Sequence, residues 1–212
     1  MADEEMLDAR TAAALVEQTQ RRTRDLLEIK LPVVYAAWGI AWLLGLGAMW
    51  LSVRGQRPYR GPSAASSVIL TVLLVAAVVI TISVVTRATR GVGGVSAMQR
   101  RIYGLSWPVG FAALFALDGA VAHRGASPQV MGVLSAAGPQ LITGLIYLLA
   151  AAIWLDWPMG ALGIWLAALA GAGAWAGPVG VLLIGAIGGG GGFLVTAAVT
   201  SRRRGLAGAP HD

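Results

Sequence analysis

The sequence predicts an all-α fold: a polytopic transmembrane bundle of six helices with a helical leader ahead of it. Three observations carry that reading. Six apolar runs each approach or exceed the roughly 20 residues that a helix needs to cross a 30 Å hydrocarbon core. Hydrophobic residues make up 57% of the 212 and charged residues 12%, about half the charged share of a soluble domain. The 16 lysines and arginines flank the runs, so the net charge of +6 reads as topology and not as a nucleic-acid patch.

Residues 1–30 hold seven of the ten carboxylates and contain neither glycine nor proline. They are predicted to form a cytoplasmic helix. A cleavable signal peptide is disfavoured, because this region is long and acidic and the apolar stretch behind it has full span length. Arg21, Arg22, Arg24 and Lys30 stand just before the membrane, where they can meet lipid head groups or a cytoplasmic protein partner.

The first span is read at 31–53, with Tyr35 and Trp50 in the two interfacial aromatic belts and Trp38 and Trp42 packing together on a neighbouring helix. Pro58, Gly61 and Pro62 mark the external loop that follows. The second span, 66–86, is rich in valine, isoleucine and leucine; its length without a turn signal makes it a helix in lipid, placed at the periphery. Gly91-Val92-Gly93-Gly94 resembles part of a dinucleotide fingerprint but has Ser96 where the pattern needs glycine. Lys30 is the only lysine, and no phosphate-loop pattern surrounds it.

The third span, 102–122, carries Pro108, expected to bend it, and Asp118, a carboxylate within a span and a functional candidate on that ground. His123 and Arg124 follow closely enough to pair with it at the surface. The fourth span, 129–154, contains Gly138-Pro139-Gln140 and Thr143. A proline there frees a backbone carbonyl, so Ser135, Gln140 and Thr143 join Asp118 as the candidate polar pocket.

The fifth and sixth spans, 158–176 and 179–199, are joined so tightly by Gly177-Pro178 that they must be antiparallel neighbours. Gly160, Gly163, Ala167, Ala170 and Ala174 give the fifth span a small-residue face, expected to receive the sixth. The sixth offers two overlapping G-x-x-x-G pairs, Gly185 with Gly189 and Gly188 with Gly192. Gly190 and Gly191 exceed what a one-sided ladder needs, which points to close packing on more than one side or to a hinge. The basic tail, 200–212, is expected to be disordered from Gly205.

With the amino terminus inside, 12 lysines and arginines lie on the cytoplasmic side and four outside, so both termini are expected in the cytoplasm of a bacterial-type inner membrane. The leader from Ala9 to Leu27, followed by Tyr35-Ala36-Ala37-Trp38-Gly39-Ile40-Ala41-Trp42, resembles small bacterial six-span membrane proteins labelled hypothetical or transporter. That resemblance spans the first quarter of the chain and implies no catalytic residue.

With no cysteine and two histidines, both outside the spans, no metal or cofactor is expected. An intramembrane enzyme lacks its paired groups. Two expectations remain. One is a noncatalytic membrane subunit or scaffold that binds a cytoplasmic partner through its leader and basic loops. The other is a small transporter or channel with a polar path near Asp118, Gln140 and the run Gly188 to Gly192.

Overall fold

The structure, a computed structural model, describes residues 31–88 and 95–207. The leader expected to be helical, with Arg21, Arg22, Arg24 and Lys30, residues 89–94 with the Gly91 to Gly94 run, and the last five residues lie outside that range. Every element among the described residues is helical, and six helices are long and apolar enough to cross a membrane, which makes the chain a multi-pass integral membrane protein. They are α1 (Leu31–Val53), α2 (Ala64–Ala88), α3 (Val95–His123), α4 (Pro128–Trp154), α5 (Trp157–Trp175) and a sixth span that changes character along its length. In that span α6 (Gly177–Ile184) passes through a π-helical turn (Gly185–Gly189) into α7 (Gly190–Ala207). α7 therefore continues through Gly205, where the sequence suggested disorder.

Local chemistry places the boundaries. The Ser63 hydroxyl accepts from the Ser66 amide ahead of α2, Ser127 caps α4 in front of Pro128, and the Asp156 carboxylate accepts from the Met159 amide to start α5. The two tight hairpins each turn on one left-handed residue. Leu155 ends α4 at φ 53°, a conformation that costs an L side chain, while Gly177 opens α6 at φ 77° without a Cβ to strain. Gln56 organises the α1–α2 loop: its amide donates to the Ser52 and Gly61 carbonyls and its oxygen accepts from the Arg60 amide.

Successive helices run antiparallel. α2 lies along α1 through Ser66 on Ser52, Leu70 over Gly45 and Thr81 accepting from the Trp38 indole at 3.0 Å. The rest of α2 is open, with only 6% of its span buried inside the bundle, so its valine and isoleucine face lipid. α3 is likewise peripheral, 11% buried, and continues as a helix through Pro108. It meets α4 where Leu114 covers Gly138 and Ile142 lies over Gly110.

α4 and α5 pair backbone to backbone. A Cβ on Gly144 would lie 2.8 Å from the Gly163 carbonyl, and a Cβ on Gly163 would lie 2.8 Å from the Gly144 carbonyl. Gly160 faces Ala151 and Ala167 faces Gly144, so Gly160, Gly163 and Ala167 of the expected small-residue face receive α4 and not the sixth span, while Ala174 at its far end is exposed. In lipid, small faces attract any helix that can approach closely, and α4 brings its own glycine to the contact. The sixth span packs instead on the leucines of α5: Leu162 against Gly192, Leu166 near Gly189, Leu169 against Gly188.

An aromatic core fills the bundle on the near side, the side from which α1 starts. Tyr35, Trp42, Tyr147 and Phe193 are buried together with Leu162 and Leu166. Tyr35 is 2% exposed and belongs to this core, so it is not part of an interfacial belt; its ring lies 6.3 Å from Tyr147. Trp38 and Trp42 diverge to different partners. Trp42 meets Phe193 edge-on at 5.4 Å, while Trp38 stacks on Trp107 of α3. Trp50, near the far end of α1, carries the Arg54 guanidinium 5.4 Å above its ring.

Candidate functional site

The most unusual backbone lies where α4, α1 and the sixth span converge. From Gly185 to Gly189 the helix widens to i→i+5 bonding, and the Gly190 amide reaches back to the Gly185 carbonyl. Single π turns of this kind change the angular register of everything that follows. The two G-x-x-x-G pairs thereby face different neighbours. Gly185 and Gly189 lie under Gln140, Leu46 and Trp42, while Gly188 and Gly192 lie under Leu169, Leu162 and Trp165.

The glycines tolerate no side chain on the packed sides. A Cβ on Gly185 would come within 2.6 Å of the Gln140 amide nitrogen, and one on Gly189 within 2.6 Å of the Trp42 ring. Gly190 is the tightest in consequence, because what it meets is backbone: the Leu43 nitrogen at 2.8 Å and the Gly39 carbonyl at 2.9 Å from a hypothetical Cβ. Gly39 in turn faces the Gly190 carbonyl. Helices this close bring Cα–H groups against carbonyls and maximise dispersion contact, the forces that remain when lipid removes the hydrophobic drive. Gly191 alone of the five meets nothing within 4 Å. The run stays helical, with Gly190 at φ −58°, ψ −44°, so no unwound segment is present.

Gln140 is 1% exposed and wedged over this turn. Its amide nitrogen donates to the Ala136 carbonyl at 3.2 Å, while its oxygen has no partner among the described residues. Thr143 is also buried but spends its hydroxyl on the Pro139 carbonyl at 2.7 Å. Ser135 is exposed and bonds the Met131 carbonyl. None of these bonds reaches the Ser135 carbonyl, the one that the missing Pro139 N–H leaves without its helical donor.

The polar pocket expected from the sequence is not assembled. Leu114 meets Gly138, Asp118 lies one turn beyond Leu114 toward the far side, and Gln140 and Thr143 lie toward the near side. By helical rise this separates Asp118 from Gln140 and Thr143 by about 9 to 14 Å along the bundle axis. Ser135 is level with Asp118 but turned outward. Asp118 is 8% exposed, and one carboxylate oxygen has no hydrogen-bond partner among the described residues, so the surface pairing with His123 or Arg124 does not satisfy it.

Two features escaped sequence reasoning. One is the aromatic core around Tyr35, whose buried hydroxyl has no partner among the described residues; the spacing of Tyr35, Trp38 and Trp42 was visible but not the directions their faces take. The other is the open groove beside Gly191, between α5 and α7. The chain matches no family model, and its comparison with curated proteins and with solved structures returns no significant match.

Proposed function

We propose that this protein is a noncatalytic membrane subunit or scaffold that holds a cytoplasmic partner through its leader and basic loops. Its setting in this reading is a bacterial-type cytoplasmic membrane with both termini inside. The observation that carries the proposal is the solid interior. Leu166, Val181 and Phe193 are fully buried, glycines let α1, α4, α5 and α7 touch backbone to backbone, and the buried hydroxyls of Thr143 and Thr196 close on their own helices. Such a body suits anchoring better than passage. The charged leader, with Arg21, Arg22, Arg24 and Lys30 at the membrane surface, supplies the contact region.

The test is affinity purification after gentle solubilisation, comparing the full chain with a deletion of residues 1–28. A defined protein that co-purifies stoichiometrically with the full chain and is lost with the deletion supports the reading; identical recovery from both overturns it.

A small transporter or channel is the second reading, favoured by the unsatisfied Gln140 oxygen beside a π turn. It requires solute or ion flux in proteoliposomes that falls in Gln140→Leu or Asp118→Ala. Flux at the level of empty liposomes refutes it.

A further inference from the structure

The glycine packing leaves one face of the sixth span uncovered, and that face is shaped. Between α5 and α7 runs a groove of about 650 Å³, floored by Gly188, Gly191 and Gly192 and open along one side. Trp165 forms one wall and is fixed there by its indole N–H, which donates to the Gly188 carbonyl at 2.9 Å. Val195 and Val199 form the other wall, and Trp157 stands at the near-side mouth. We propose that this groove is a binding site for an anionic phospholipid, with one acyl chain along the glycine floor and the phosphate at Arg202.

Three properties select that occupant. Between Trp165 and Val199 the lining offers hydrocarbon, and the one free donor, the Trp157 indole N–H, stands at the near-side mouth where the head group lies. The Trp165 N–H is used on Gly188, and the Thr196 hydroxyl is turned back onto the Gly192 carbonyl at 2.8 Å. A polar ligand would gain nothing there, whereas an acyl chain needs only contact.

The length also fits one leaflet. Ile187 and Val199 mark the ends of the groove along the helix, about 18 Å apart by rise, against roughly half of a 30 Å hydrocarbon core. Gly188, Gly192, Val195 and Val199 follow one stripe at alternating spacings of four and three. Arg202 is its next member, exposed at the end of the span. A cation at the membrane boundary above an apolar slot complements a phosphate and gives the site a preference for negative head groups.

A second helix, whether from another protein or from another copy of this chain, is the less suitable occupant. It would need a ladder of small residues whose Cβ directions open outward, but those of Gly188 and Gly192 point at Leu169, Leu162 and Trp165 while only their backbone edges reach the groove floor. Gly191 alone remains open, which is enough for a chain and too little for a helix face.

Native mass spectrometry of the full-length protein tests the site, using detergent micelles supplemented with equal amounts of phosphatidylglycerol and phosphatidylcholine. The wild type is expected to keep a phosphatidylglycerol adduct in preference. Gly191→Leu, which fills the floor where a Cβ meets nothing, is expected to lower retention of either lipid about tenfold. Arg202→Gln should abolish the preference while leaving an adduct. Gly104→Leu, an equally open glycine on α3 outside the groove, is the control and should match wild type. Val195→Trp blocks the groove from its other wall and replaces Gly191→Leu if that variant melts early. Equal retention of both lipids by the wild type, unchanged retention in a folded groove-filling variant, or an equal loss in Gly104→Leu would each overturn the proposal.

Discussion

Gly190 and Gly191 are adjacent, identical and indistinguishable by composition, yet the structure assigns opposite signs to the same substitution at each. A methyl group on Gly190 would sit 2.8 Å from the Leu43 nitrogen and 2.9 Å from the Gly39 carbonyl, where ordinary contact begins near 3.4 Å. Neither obstacle is a flexible side chain, so α1 and α7 must separate by about 0.5 Å or more. A gap of 0.5 to 1 Å forfeits a quarter to a half of each dispersion well along the seam. Trp42 against Phe193 and Leu194 over Gly39 lie on that seam. Gly190→Ala should therefore cost about 1 to 3 kcal/mol, the range for overpacking a tight core. Gly191→Ala meets nothing, and replacing glycine within a helix gains up to roughly 1 kcal/mol in water and less in lipid. Thermal or denaturant unfolding of the two variants in one detergent gives the comparison directly. The reasoning fails if Gly190→Ala is as stable as wild type, or if Gly191→Ala is destabilised as much as Gly190→Ala.

Other positions carry similar contrasts. Gly163→Ala should destabilise by about 1 to 3 kcal/mol, because its Cβ would lie 2.8 Å from the Gly144 carbonyl and the Leu148 nitrogen; Gly171→Ala on the open side of α5 should be neutral or slightly stabilising in the same unfolding assay. Leu155→Gly should raise the unfolding midpoint, since a 90% exposed leucine at φ 53° loses little contact and relieves about 1 kcal/mol of backbone strain. Trp165→Phe removes the bond to the Gly188 carbonyl and should cost about 1 kcal/mol, with the π turn exchanging amide hydrogens faster in hydrogen-exchange mass spectrometry.

What was legible in the sequence follows from what the bilayer constrains. Span length and hydrophobicity are set by hydrocarbon thickness, so all six spans could be read. The lipid exposure of α2 could also be read, from valine and isoleucine covering most of its surface. The multiplicity of glycine contacts in the last span was visible too, since five in succession point in every direction around a helix.

Partner choice was not legible. In lipid, apolar residues do not distinguish inside from outside, so the small face of α5 and its leucine stripe were both plausible contacts for the sixth span. Gly144 decided the matter from another helix by offering α5 a second glycine. Tyr35 was misplaced for a related reason: an amphipathic ring near a span end suits an interface, and only the neighbouring Tyr147 and Phe193 draw it inward. The polar pocket failed on register. Asp118, Gln140 and Thr143 each sit in a span, but the Leu114–Gly138 contact sets α3 against α4 so that they lie at different depths.

The central claim is that the glycine run is gripped from two sides, with Gly190 against α1 and Gly191 open to lipid. The chain contains no cysteine, so paired cysteines report it without background. A Cβ on Gly190 lies 3.0 Å from that of Leu43, slightly inside the roughly 3.5 to 4.5 Å range of disulfides. Leu43→Cys with Gly190→Cys should form an intramolecular disulfide under mild oxidation in membranes, while Leu43→Cys with Gly191→Cys should stay reduced. Equal cross-linking of both pairs, or cross-linking of the Gly191 pair alone, would contradict the account.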